Sequence, residues 1–351
     1  MITLDHPLRI AKVYPMQIME TSSGTEKNRY LEGDRIAVLL PLPLSGSYDY
    51  LVPTGMSLKT GNFVRVPLGR SKSNGVVWGA AKDDVPLHKM KAVAEVLDTP
   101  PLPETSIRFV DWVASYTLSP PGAVLKMVMS VPDALHPPKP VIAYALTPSP
   151  PDFKSTKARE LVLNVLKDGP PRIMGELAKE AAVSTSVIKG LVELGVLQSI
   201  SLSPQGGSLN EPNPDTPGFE LSTAQQKAAL SLCDAVKAAD FGVYVIDGVP
   251  GSGKTEVYFE AIAEALRMGK QALVLLPEIA LGAQWRKRFT TRFGALPMEW
   301  HSDLTQARRR DTWRKITHGG PLVVVGARSA LFLPYPDLGL IVADEEHDAA
   351  Y

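Results

Sequence analysis

Residues 243 to 255 read V-Y-V-I-D-G-V-P-G-S-G-K-T: a short apolar-rich strand, Val243 to Asp247, then a glycine-rich turn closed by Lys254 and Thr255. A strand that runs straight into G-x-x-x-x-G-K-T and then into a helical pattern is a phosphate-binding loop, because its glycines let backbone N–H groups curl around phosphate oxygens at a helix N-terminus. Gly248, Gly251 and Gly253 supply that freedom, with Ser252 between the last two. Lys254 brings a point charge to the β- and γ-phosphates, and Thr255 offers its hydroxyl to Mg²⁺. A turn that merely joined strand to helix would not need Lys-Thr after its last glycine. The expected ligand is a nucleoside triphosphate with its magnesium ion.

On both sides of the loop, helix and apolar strand alternate. A helix to about Ala239 precedes it; a helix from Glu256 to Met268, strand A-L-V-L-L, a helix through Arg292, and strands L-V-V-V and L-I-V-A-D follow. Strands that read as continuous apolar runs predict a parallel sheet covered on both faces, here one lobe of a doubly wound α/β domain over residues 219–351. The last of these strands ends in Asp344-Glu345-Glu346-His347. Open α/β sheets deliver the residues at the carboxyl ends of their strands to the ligand crevice. Asp344 is therefore read as the Mg²⁺ carboxylate, and Glu345 as the group that orients or deprotonates the attacking water. His347 has no Cys or second His at ligand spacing, so it is not read as a metal ligand. The loop and the acidic box are expected on neighbouring strands of one sheet.

Upstream the character changes. Residues 1–30 are polar and without sustained periodicity, and are expected to be a disordered leader. From Arg35, short β-rich runs broken by Pro and Gly predict a small β-barrel or twisted antiparallel sheet over 31–138, with a helix from Ser106 to Tyr116. The proline-rich stretch 139–154 is read as a linker. Over 155–202, the pattern helix, helix, turn, Ser184-capped helix and strand suggests a winged helix, with a small helical spacer as the alternative. A Gly- and Pro-rich stretch, 203–218, is read as a second linker. The chain is thus expected to be multidomain, with β-rich, winged-helix and RecA-like α/β parts.

Bulk properties narrow the class. With 351 residues, 44% hydrophobic and 21% charged, the chain is long enough for two or three packed cores. No apolar run approaches the roughly 18 residues of a membrane span, so no membrane partner is expected and a cytoplasmic address is. The single cysteine, Cys233, excludes an intrachain disulfide or a cysteine-ligated zinc site within these residues. Lys plus Arg (37) equal Asp plus Glu (37), so any argument for nucleic acid must be local. Candidate phosphate contacts are the basic runs Arg286, Lys287, Arg288, Arg292 and Arg308, Arg309, Arg310, Arg314, Lys315, and above all Arg328 in a loop near a strand end; a solvated basic helix face is the alternative for each run. Trp285 and Trp300 read as packing residues rather than base-stacking platforms.

The acidic box combined with G-x-x-x-x-G-K-T resembles the superfamily 2 helicases. The wording G-V-P-G-S-G-K-T-E-V-Y (Gly248 to Tyr258), L-P-E-I-A-L (Leu276 to Leu281), G-A-R-S-A-L-F (Gly326 to Phe332) and D-E-E-H-D (Asp344 to Asp348) is similar to the replication-restart helicases among them. L-P-L-P-L-S-G-S-Y-D-Y-L-V-P (Leu40 to Pro53) and V-R-V-P-L-G-R (Val64 to Arg70) resemble that family's module for the 3′ end of a nascent leading strand. The resemblance implies an ATP-dependent 3′-to-5′ DNA helicase that initiates primosome assembly, or alternatively a fork-binding scaffold whose ATPase is dispensable. It implies that Gln225 reads the adenine edge, that Tyr48, Asp49, Tyr50, Gly69 and Lys91 receive the terminal 3′ nucleotide, and that His347 has a coupling role. The implied partners are forked and single-stranded DNA, single-strand binding protein, and primosome and helicase-loader proteins, with a nucleoid-associated location. The family's second motor lobe and its zinc module would lie beyond Tyr351, so a helicase fragment that binds nucleotide weakly and does not unwind alone is expected. Two departures from the family wording are Pro250 and Ala327, where threonines are expected; the second removes a hydroxyl that could touch DNA phosphate.

Overall fold

Residues 9–13, 29–44, 46–82, 85–137, 141–167, 169–202, 211–277 and 283–344 are described in a computed structural model. Contacts divide the chain into two units, Met1–Pro137 with Leu209–Tyr351, and Pro138–Ser208. First in the chain is β1 (Arg9–Val13), a partner of the α/β lobe. Next, β2 (Arg29–Tyr30) pairs with β5 (Leu58–Lys59), while β3 (Arg35–Leu39), β4 (Tyr48–Leu51), β6 (Phe63–Leu68), β7 (Ser71–Ala80) and β8 (Glu95–Val96) form an antiparallel sheet in the order β4-β3-β7-β6-β8. The backbone just before β8 closes this sheet on itself. The Leu51 N–H donates to the Lys91 carbonyl at 3.0 Å on the β4 edge, and the Ala94 N–H donates to the Arg65 carbonyl at 2.9 Å on the β6 edge.

Period-two alternation fills this barrel. Ile36, Val38, Leu40, Tyr50, Val52, Val64, Val66 and Val77 point inward, while Leu39, Phe63 and Val76 point outward beneath α1 (Glu104–Thr117) and α2 (Pro121–Val128). A Cβ on Gly122 would collide with the carbonyls of Leu40 and Leu42, so only glycine lets α2 lie this close to the barrel backbone.

The second unit comprises β9 (Val141–Leu146), α3 (Lys157–Lys167), β10 (Arg172–Ile173), α4 (Met174–Glu180), α5 (Thr185–Glu193) and β11 (Leu197–Leu202), with sheet order β10-β9-β11. Val162, Leu166, Leu177, Ile188, Leu191 and Val196 form its core. The central strand β9 lies inside the stretch read as a proline-rich linker. Prolines flank V-I-A-Y-A-L but none interrupts it, so its β-propensity decides the local structure. Three helices on a three-stranded antiparallel sheet replace the helix-only alternative.

The lobe comprises α6 (Thr223–Ala238), β12 (Val243–Asp247), α7 (Lys254–Arg267), β13 (Gln271–Leu275), α8 (Ala283–Phe293), β14 (Met298–Trp300), α9 (Gln306–Thr317), β15 (Leu322–Gly326) and β16 (Leu338–Ala343). Its sheet is parallel in the order β14-β15-β13-β16. Every residue of β13 and β15 is buried, as their apolar runs require. β12 departs from expectation. It pairs antiparallel with β1, Arg9 facing Asp247 and Val13 facing Val243, rather than with β16, and both β12 and β16 expose alternate residues. Residues 9–13 of the expected leader are therefore a strand; residues 1–8 and 14–28 lie outside the described residues.

The linker expected before the lobe is anchored where it is described. Arg292, 2% exposed, donates to the carbonyls of Pro214 and Thr216 and pairs with Glu260 at 3.0 Å, while Arg267 holds Asp215 at 2.9 Å. Residues 203–210 lie outside the described residues. Barrel and lobe share one core. Leu39, Phe63, Leu125 and Val128 pack in the same cluster as Leu273, Trp300, Trp313 and Val324, so the two parts read as separate domains form one unit. Among the described residues, no helix is long and apolar enough to cross a membrane.

Candidate functional site

Helix α6 begins with a reciprocal cap that also reaches the phosphate loop. The Ser222 hydroxyl accepts from the Gln225 N–H, and the Gln225 side-chain oxygen accepts from the Ser222 N–H at 2.8 Å. The Gln225 amide nitrogen then donates to the Ser252 carbonyl at 2.8 Å. A residue expected to face adenine thus ties the helix cap, through its amide oxygen, to the loop, through its amide nitrogen. The pattern S-x-x-Q before an apolar helix carries the capping half of this in the sequence.

The loop itself is shaped for an anion. Gly251 and Gly253 have φ of +79° and +82°, a region that costs any other residue, and a Cβ at Gly253 would strike the Gln225 amide. Gly253 is also the N-cap of α7, whose first residues are Lys254 and Thr255. Lys254 Nζ donates to the Gly248 carbonyl at 2.8 Å, folding the ammonium back over the loop. Ser252 Oγ is buried without a hydrogen-bond partner. An orphaned hydroxyl, a curled glycine backbone and a folded-back lysine together fit the polyphosphate that the sequence implies.

Asp344 follows β16, its N–H donating to the Leu275 carbonyl at 3.1 Å. Its Oδ2 accepts from the Tyr258 hydroxyl at 2.8 Å, and the Trp285 indole N–H donates to the same hydroxyl oxygen at 2.8 Å. Thr255 lies one helical turn before Tyr258 on α7. Burial first, and the Asp344 charge second, push the Tyr258 phenol far above its ordinary range, so it stays a proton donor. The loop and Asp344 therefore meet through α7 rather than through adjacent strands. Sequence reading missed Tyr258 and Trp285. Tyr258 was detectable three residues after Thr255, on the same helical face; Trp285 had no local signal, because only tertiary packing brings α8 to α7. Glu345 and His347 lie outside the described residues, as do residues 278–282 of L-P-E-I-A-L.

At the barrel, β4 alternates. Tyr48 is exposed, Asp49 is half-buried and Tyr50 is 4% exposed. The Tyr50 hydroxyl donates to the Pro67 carbonyl at 3.1 Å and its ring lies in the barrel core, so it is a wall rather than a stacking face; Tyr48 is the open ring. Lys91 Nζ donates to the carbonyl of exposed Gly69 at 3.0 Å, two residues beyond Pro67, bringing Tyr50, Gly69 and Lys91 together. Asp49 accepts from the Lys82 N–H at 3.4 Å.

Most residues of the basic runs have partners within the chain. Arg286 pairs with Glu299, Arg288 with Glu256 and Arg292 with Glu260. Arg309 lies over the Trp300 ring, Arg314 donates to the carbonyls of Ala134 and His136, and Lys315 faces Glu211. Arg328 is exposed at the start of a short 3₁₀ turn after β15. Trp285 and Trp300 are buried packing residues, as read.

Comparison with known proteins places these two parts. Residues 37–130, the barrel with α1 and α2, match the family model for the 3′DNA-binding domain of PriA. Residues 223–351 match that for DEAD/DEAH box helicases. Along 330 residues the chain is 34% identical to the replication restart protein PriA of Haemophilus influenzae, covering 90% of this chain and 44% of that protein. The chain is a relative of PriA. It is also 29% identical over 414 residues to PriA of Synechocystis, covering 92% of this chain and 49% of the relative, and 37% identical over 180 residues to PriA of Bacillus subtilis. The chain thus spans less than half the length of the PriA proteins it matches. Its two matched parts are a 3′ DNA-binding domain and a helicase domain of the DEAD/DEAH type.

Proposed function

We propose that this chain is the DNA-engaging and nucleotide-holding portion of an ATP-dependent 3′-to-5′ DNA helicase that recognises stalled or abandoned replication forks and starts primosome assembly. The observation that carries the reading is that Tyr258, one turn into the helix that the phosphate loop opens, holds Asp344 at the end of β16, in a chain whose other matched part is a 3′ DNA-binding domain. In this reading the loop from Gly248 to Gly253 cradles the phosphates, Lys254 leaves the Gly248 carbonyl to neutralise them, and Thr255 and Asp344 hold Mg²⁺. Magnesium, when bound, spreads the charge developing on the phosphoryl oxygens. Glu345 orients the attacking water and His347 couples the site to DNA. Gln225, by holding the Ser252 carbonyl, ties any contact with adenine to the shape of the loop.

The DNA side rests on Tyr48 as the stacking ring, on Asp49 as the acceptor for a 3′-hydroxyl, and on Tyr50, Gly69 and Lys91 as the wall and base of the pocket. Arg328 supplies a phosphate contact. Residues 141–202 act as a winged helix. The partners are forked and single-stranded DNA, single-strand binding protein and helicase-loader proteins, met in the cytoplasm at the nucleoid. The end-recognition reading is tested by titrating the whole chain with single strands bearing a free or a phosphate-blocked 3′ end. Tighter binding of the free end supports the reading, and equal affinities remove it.

A further inference from the structure

Helices α7 and α8 are joined by three polar rungs: Glu256 with Arg288, Tyr258 with Trp285, and Glu260 with Arg292. Two of these are ion pairs. The contact between Tyr258 and Trp285 is different, because it continues beyond the two helices to Asp344. Tyr258 has one proton and is almost wholly buried, with Phe259 at 5.4 Å beside it. Its oxygen accepts from the Trp285 indole, a group that can only donate, so the phenol proton is directed to Asp344 Oδ2. Trp285 is in turn fixed by stacking on Phe289, with ring centroids 5.3 Å apart and planes 19° from parallel. The direction of the chain Trp285 to Tyr258 to Asp344 is therefore set by chemistry and packing together.

We propose that Tyr258 is a positioning residue for the metal ion: its hydroxyl, oriented by Trp285, holds the Asp344 carboxylate in register with Thr255 and ties the pose of α8 to it. The proposal rests on the reading of Thr255 and Asp344 as Mg²⁺ holders. A carboxylate whose Oδ2 is held by a neutral donor has its plane fixed, and partners of this kind set how well a ligating oxygen is aimed.

The test is an equilibrium titration of the whole chain with a fluorescent ADP analogue, with Mg²⁺ and with EDTA, for the parent and for Tyr258→Phe, which removes the hydroxyl but keeps the ring. The expected result is an approximately tenfold or larger weakening of the Mg²⁺-dependent affinity with the metal-free affinity unchanged. In the Asp344→Ala background, Tyr258→Phe should change nothing further. Equal weakening with and without metal would mark Tyr258 as packing alone and overturn the proposal, as would an unchanged Mg²⁺ response or an additive loss in the double variant. A parent chain that binds no nucleotide, or binds it without regard to Mg²⁺, removes the underlying reading as well.

Discussion

The indole N–H of Trp313 donates to the carbonyl of Val128 at 3.0 Å, across 185 positions of sequence, and the ring meets Phe63 edge-on with centroids 5.9 Å apart. One fully buried side chain of the helicase-type lobe thus satisfies the end of a barrel-side helix and packs on the barrel wall. An aromatic ring with its polar edge paired is the arrangement that makes a large buried residue specific as well as stabilising.

Replacing Trp313 with alanine is expected to cost about 3–5 kcal/mol and to loosen barrel and lobe together. Urea unfolding followed by hydrogen exchange in both parts is the check. Protection lost in residues 306–344 but retained in 35–80 would show that the shared core does not unfold as one.

Gln225→Ala should lower stability by about 1 kcal/mol through the lost cap and also weaken binding of ATP. Comparison with GTP separates its two roles. If ATP and GTP lose affinity equally, the residue acts by bracing Ser252; if the preference for ATP disappears, it reads the base.

Tyr48→Ala is expected to weaken binding to free 3′ ends with stability changed by less than about 0.5 kcal/mol, because the side chain is exposed. Tyr50→Phe should instead cost about 1 kcal/mol through the lost bond to Pro67. The opposite pattern in paired DNA titrations and melts would reverse the division of labour within Y-D-Y.

Arg292→Ala removes the buried partner of the half-buried Glu260 and the donor to the Pro214 and Thr216 carbonyls, and is expected to destabilise by about 1–3 kcal/mol, without altering the salt dependence of DNA binding. Arg328→Ala should leave stability alone and reduce the slope of log affinity against log salt by about one. A reduced slope for Arg292→Ala would return that residue to the DNA surface.

Stability should decline at alkaline pH. Burial raises the phenols of Tyr50, Tyr258 and Tyr335 above the ordinary value near 10, so each folded-state group holds its proton more tightly than in the unfolded chain. Their contribution is complete below about pH 10 and is lost as pH rises through the raised values. Tyr335→Phe should therefore flatten the alkaline limb of a stability-against-pH curve. An identical limb in parent and variant would exclude Tyr335 as a source.

The phosphate loop, Asp344 at a strand end and the barrel strands were legible in the sequence because each depends on local pattern: glycine spacing, an apolar run, or alternation. The same locality explains what was not legible. The charges of Arg286, Arg288 and Arg292 read as unpartnered until Glu299, Glu256 and Glu260 are brought opposite them. The strand Val141–Leu146 disappears among its flanking prolines until β10 and β11 provide its ladder. A polar leader hides Arg9–Val13 until β12 offers an edge.

By itself the sequence determined that a phosphate-binding turn follows a strand, that an acidic residue ends another, and that a β-rich part precedes an α/β part, since these follow from backbone conformational preference and side-chain period. Only the tertiary structure decided that the parts share a core through Trp313, that β12 pairs with β1 instead of β16, and that Tyr258 joins the loop helix to Asp344. Those contacts lie between residues distant in the chain, and their free energy comes from burial and hydrogen-bond satisfaction that no local window contains.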